Sequence, residues 1–166
     1  MTRDHLTPYQ NALTLLGRLT PISADCGLLC GSRCCQGGPQ DGMLLFPGEA
    51  EALAGVRFLR FMSRTLNDRP VTMAVCRGRC IRARRPLACR IYPLAPRLRD
   101  GILTVAPDPR ARNGCPLLDP SAGNSIAPAF VQAVTDAFQA LRRDPVTDAF
   151  LADYTAVLEK YERFLK

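Results

Sequence analysis

Cys26-Gly27-Leu28-Leu29-Cys30-Gly31-Ser32-Arg33-Cys34-Cys35 places four thiols within ten residues. Further along, Cys76-Arg77-Gly78-Arg79-Cys80 repeats the three-residue gap, and Cys89 follows in Arg85-Pro86-Leu87-Ala88-Cys89-Arg90-Ile91-Tyr92-Pro93. Cys115 stands alone before Pro116. Short gaps of this kind bring two sulfurs to one ion at little entropic cost, and a distant pair closes a tetrahedral shell. Adjacent side chains point apart in extended chain, so Cys34 and Cys35 favour different sites or a multinuclear cluster. Eight sulfurs suit two sites of four thiolates, or one cluster with spare cysteines. Spacing alone leaves the pairing open. It also leaves open zinc against an iron–sulfur cluster, since both accept thiolates and the spacing matches neither the standard ferredoxin run nor the radical-enzyme pattern.

The surrounding chain sets the context. At 166 residues with 47% apolar residues, one domain with a sizeable core is expected. Polar residues interrupt the apolar run Ala12 to Arg18, which predicts neither a signal peptide nor a membrane span. The expectation is a cytoplasmic protein. Disulfides are rare in that compartment, so clustered cysteines point to metal first and thiol–disulfide chemistry second. Ordinary buried cysteine explains an isolated thiol well but a vicinal pair beside two others poorly.

The formal charge of +7 invites a nucleic-acid partner. Eight thiolates on two divalent ions would remove four of those charges and leave about +3. Eight arginines crowd positions 77 to 99, and only Tyr92 supplies an aromatic ring beside them. Stacking platforms for nucleic acid need more rings than that. Guanidinium groups donating toward thiolates and carbonyls account for the block better, and nucleic acid is the disfavoured partner. His5, the only histidine, reads as a solvent-exposed bystander in a frayable terminus. Glu49 and Glu51 read as solvated positions. No Ser/His/Asp set, phosphate-binding loop or dinucleotide fingerprint is present, so no catalytic constellation is identified.

The expected fold is α+β, mostly helical, with short strands, an irregular cysteine-rich centre over about 23–116 organised by metal, and a C-terminal helical pair over about 126–165. Pro8 near the first turn and Leu13, Leu16 and Leu19 predict a helix from Tyr9 to Leu19, ended by Pro21. Met43 to Phe46, Val71 to Val75 and Gly101 to Ala106 read as strands. Pro47 to Leu66 reads as helix, broken near Gly55. Prolines 86, 93 and 96 argue against regular helix over 76–100. Ile126 to Arg142 and Pro145 to Leu165 carry apolar residues at helical spacing, including Phe130, Val134, Phe138, Phe150, Tyr154 and Leu158.

Taken together, the C-x3-C-x3-C-C group, Leu45-Phe46-Pro47-Gly48-Glu49 and the R-P-x-x-C-R-x-Y-P segment at 85–93 resemble the YkgJ-type cysteine-cluster proteins, described as a zinc- or iron-chelating domain. The resemblance runs from about Cys26 to Cys115. It implies metal chelation by Cys26, Cys30, Cys34, Cys35, Cys76, Cys80, Cys89 and Cys115. The gap between Cys76 and Cys80 is shorter than that pattern usually has, and the gaps in the first group are long. Flagellin lysine N-methylases share a similar cysteine pattern, linked to an iron–sulfur cluster and methyl transfer. This chain is much shorter and shows no methyl-donor site, so that activity is not implied. The partners expected are metal ions and, in the iron–sulfur case, an enzyme that the chain would serve.

Overall fold

The computed structural model describes residues 5–78 and 80–165, so Arg79 of the second cysteine block lies outside it. The architecture is α+β with antiparallel strands. Helix α1 (Leu6–Leu16) comes first. It stops three residues before the predicted end because Gly17 turns to φ 54° and returns its N–H to Leu13 O. Short helix α2 (Gly27–Cys30), strand β1 (Met43–Leu44) and helix α3 (Glu49–Ala52) follow. Strands β2 (Leu59–Leu66) and β3 (Arg69–Cys76) come next. Helix α4 (Leu87–Ile91) leads into β4 (Leu94–Arg99) and β5 (Ile102–Pro107). Helices α5 (Pro128–Leu141) and α6 (Pro145–Phe164) close the chain, matching the predicted C-terminal pair.

Two expectations need correction. The stretch 47–66 is helical only over α3; residues 53–58 run through turns, with Gly55 at φ 77°, and β2 takes up Leu59–Leu66. The stretch 76–100 holds both α4 and β4, despite its prolines. Pro86 sits at the N-cap of α4, where its missing N–H costs nothing. Pro96 tolerates β4 because that sheet has two strands, and each strand is therefore an edge.

Both hairpins turn through two residues of positive φ. Asn67 and Asp68 (47° and 60°) join β2 to β3, and Asp100 and Gly101 (49° and 75°) join β4 to β5. That geometry matches the right-handed strand twist. The larger sheet has the order β1-β3-β2, with β3 central. Its end brings Cys76 opposite Leu59.

The main core gathers α1, α5, α6 and the β4–β5 hairpin. Pro128 and Pro145 stand in the first turns of α5 and α6, and Asp144 caps α6 by accepting from the N–H groups of Val146 and Thr147. Phe46 plugs the loop before α3 into this core. Its ring meets Phe138, Phe150 and Tyr154 edge-on at 5.1, 5.3 and 5.7 Å between centroids. Helix α6 holds β4 through Thr155 Oγ1, which accepts from Leu98 N at 2.8 Å, and through Glu162 and Glu159 on Arg97 and Arg99, both at 2.7 Å. His5 is not a bystander, as its Nδ1 lies 3.0 Å from Asp144 Oδ2. Among the described residues no helix is long and apolar enough to cross a membrane.

Candidate metal centre

All eight cysteines are free thiols, seven of them half-buried and Cys34 exposed. Cys26 precedes α2 and Cys30 ends it. Gly31 and Ser32 both take left-handed backbone (φ 61° and 55°) and turn the chain into the short 3-10 segment Arg33–Cys35. Ser32 is unusual there, since a side chain disfavours that conformation. Cys76 is the last residue of β3, Cys80 follows the Gly78 turn, Cys89 is the middle residue of α4, and Cys115 precedes the 3-10 turn Pro116–Leu118. Thiols up to 89 residues apart in sequence thus return to one end of the sheet and the loops around it.

They line two adjoining cavities. The first, of about 180 Å³, has Cys26, Cys30, Cys34, Cys89 and Cys115 in its walls. The second, of about 50 Å³, has Cys34, Cys35, Cys76, Cys80 and Cys89. Every cysteine lines at least one of the two, and Cys34 and Cys89 line both. The eight cysteines expected to bind metal thus share the walls of two cavities. Among the described residues, however, no three His, Cys, Asp or Glu side chains stand in a group that could hold an ion as they are. Thiols are the kind of donor a thiophilic metal takes, but among the described residues they are not assembled into a ligand group.

The electrostatics follow from proximity. Burial pushes the Cys89 thiol up to about 12, with Glu49 and then Cys35, Cys80 and Cys76 adding to the effect. Burial also raises Cys26, helped by Asp25, Cys115 and Cys30. Cys115 is raised by burial and by Cys30. Burial raises Cys80 against the opposing Arg85. Cys34 and Cys35 share a hydrogen bond, which holds Cys35 below the usual thiol range and Cys34 above it. Cys35 is further bonded to the Cys80 thiol and faces Arg85.

Arg85 Nε donates to Cys80 Sγ at 2.8 Å, as expected of guanidinium groups placed to compensate thiolates. Other arginines of the block serve carbonyls or carboxylates instead. Arg82 Nη2 donates to Leu19 O at 3.3 Å and Arg90 Nη2 to Gly17 O at 2.6 Å, which ties α4 to the end of α1.

Glu49 is the residue that sequence reasoning misplaced. It is fully buried, not solvated. Its Oε2 accepts from Phe46 N at 2.9 Å, and its Oε1 accepts from Leu87 N and, at 3.3 Å, from Tyr9 Oη. One carboxyl group thus fastens α3, the Phe46 loop, α1 and the first turn of α4. The helix that carries Cys89 is positioned by it. Desolvation raises its pKa to about 7, against hydrogen bonds that favour the ionised form. The only local hint is a carboxylate at the start of α3 following Pro47-Gly48. Gly48 itself lies so close to His5 O that a Cβ would meet it at 2.2 Å. No family model matches the chain, and no curated protein or solved structure matches it either.

Proposed function

We propose that this chain is a metal-binding protein of the YkgJ-type cysteine-cluster kind, holding zinc or iron through its eight thiolates. The observation that supports this reading best is the convergence of all eight cysteines, drawn from separated loops and elements, on two adjoining cavities. Chance burial of small apolar residues would scatter them through the core, yet the main core contains none. Arg85 on Cys80 supports it further, because a guanidinium donor beside a thiol stabilises the anionic form that a metal requires. Bound zinc would brace the loops, and bound iron–sulfur would add electron transfer for a partner enzyme. The arginines at 82, 90, 97 and 99 are engaged within the chain, which favours metal over nucleic acid as the partner.

The test is elemental analysis and a visible spectrum of protein purified without oxygen. Stoichiometric zinc in a colourless protein, or iron with visible absorption, is the expected result. Protein that carries neither metal, and takes up neither when zinc or iron with sulfide is added, overturns the proposal.

A further inference from the structure

Sequence spacing leaves eight sulfurs without a pairing, and the two cavities supply one. Cys26, Cys30 and Cys115 line only the first of them, while Cys35, Cys76 and Cys80 line only the second. Each cavity therefore lacks one sulfur for a tetrahedral shell, and two sulfurs remain, Cys34 and Cys89, which line both. Chain position divides them: Cys34 sits on the loop that carries Cys26 and Cys30, whereas Cys89 stands on α4, just after the block that carries Cys76 and Cys80.

We propose that the chain holds two separate four-sulfur sites, one from Cys26, Cys30, Cys34 and Cys115 and the other from Cys35, Cys76, Cys80 and Cys89, with the Cys34–Cys35 peptide as the boundary between them. This inference rests on the metal-binding reading above and adds the assignment. Each site combines a local pair with distant donors, which suits a soft divalent ion in tetrahedral geometry. In the first, α2 and the αL turn at Gly31 and Ser32 present three sulfurs from one ten-residue segment, and Cys115 closes the shell from the loop after β5. In the second, the end of β3 and α4 present Cys76, Cys80 and Cys89, and Cys35 closes it. Among the described residues, the guanidinium donor on a cysteine sulfur, that of Arg85 on Cys80, belongs to the second site. Two sites that meet at one peptide also give the vicinal cysteines a geometric role, because Cys34 lines both cavities while Cys35 lines only the second.

The experiment uses the full chain, reduced and metal-free, titrated with cobalt(II) and with zinc. The expected result is two equivalents bound, with the intense thiolate-to-cobalt charge-transfer bands of tetrahedral sulfur coordination. Cys34→Ser and Cys115→Ser each lose one equivalent and keep the other, as do Cys35→Ser and Cys76→Ser. The double variant Cys34→Ser with Cys115→Ser still keeps one equivalent, whereas Cys34→Ser with Cys35→Ser keeps none. Serine variants that fail to fold are bypassed by a second measurement on the parent chain. The zinc-loaded protein is partly stripped with chelator, alkylated, unfolded and mapped. Labels then arrive in fours, as one set or the other. Mixed sets of labels overturn the assignment, as do a single equivalent for all eight sulfurs or loss of both equivalents in Cys115→Ser. Any of these leaves metal binding itself standing. A parent chain that binds neither cobalt nor zinc overturns the metal-binding reading for these ions, and with it the assignment.

Discussion

Among the described residues, replacing Glu49 with alanine removes the acceptor of two buried backbone N–H groups, Phe46 and Leu87, and a partner of Tyr9 Oη. Each orphaned amide costs about 1–3 kcal/mol. At pH 6 the folded carboxyl, raised to about 7, is mostly protonated while the unfolded one is ionised, so removing Glu49 returns about 2 kcal/mol of that cost. The net loss is then about 2 kcal/mol, a large share of a typical domain's stability. For a chain of this size that lowers the melting temperature by roughly 4–8 °C. The sign with pH follows from the direction of the shift. A folded-state pKa above the unfolded value means stability that is full below the unfolded pKa and is lost as pH rises through about 7. Between pH 6 and 8 the parent loses about 1 kcal/mol through Glu49, and the variant has no such loss. Tyr9, Arg90 and Cys89 are the titratable groups around it, and all three are shifted to titrate well above pH 8 or remain charged there. The alanine penalty should therefore shrink by about 1 kcal/mol over that interval. Urea unfolding followed by far-UV circular dichroism, on reduced, metal-free protein at both pH values, reads this directly. A variant within about 1 °C of the parent at pH 6, or a penalty that grows toward pH 8, refutes the reasoning.

Asp108 is buried against Arg110, whose Nη2 also reaches Tyr154 Oη at 2.6 Å. Asp108→Ala leaves that guanidinium without its counter-charge and should destabilise by about 3 kcal/mol, read by the same unfolding curves. Arg85→Ala should weaken the second four-sulfur site by roughly 10–100-fold in competition with a chromophoric chelator, while Arg90→Ala, which only ties α4 to Gly17 O, leaves affinity within a few-fold. Cys89→Ser should lose metal from that same site, and full metal content in the folded variant removes Cys89 from the ligand set. Chelator treatment should open residues 23–116 to protease before α5 and α6, and an unchanged cleavage pattern would show that metal does not brace the loops.

Much of this was legible from periodicity. Helices α5 and α6 stand where their apolar spacing and first-turn prolines put them, because each buries one continuous stripe. Strand β2 was misread because Ala50-Glu51-Ala52 has strong helix propensity, while β2 itself is a half-exposed edge strand with a weak apolar signal. Two turn signals could have corrected it. Asn67-Asp68 and Asp100-Gly101 both belong to the residue class that hairpin turns demand, and each brackets a strand the apolar pattern obscured. Glu49 was illegible for another reason. Apart from Phe46 N three residues before it, its partners Leu87 and Tyr9 lie 38 and 40 residues away, and the position after Pro47-Gly48 is the one local feature that sets it apart from Glu51. The cysteines were all visible as candidates, but dividing them takes the two cavities that they line.

The pairing of α1 with α5 carries a consequence for how the chain is made. His5 meets Asp144 across 139 residues, and the apolar face of α1 rests on a helix that begins only at Pro128. On the ribosome, every cysteine has been synthesised before that helix exists. The thiols of the nascent chain are therefore displayed while the first helix still lacks its packing partner. Whatever reaches those sulfurs first, an ion or an oxidant, does so before the main hydrophobic core can close. Exposure to oxidant during translation, more than after release, then bears on the yield of native protein.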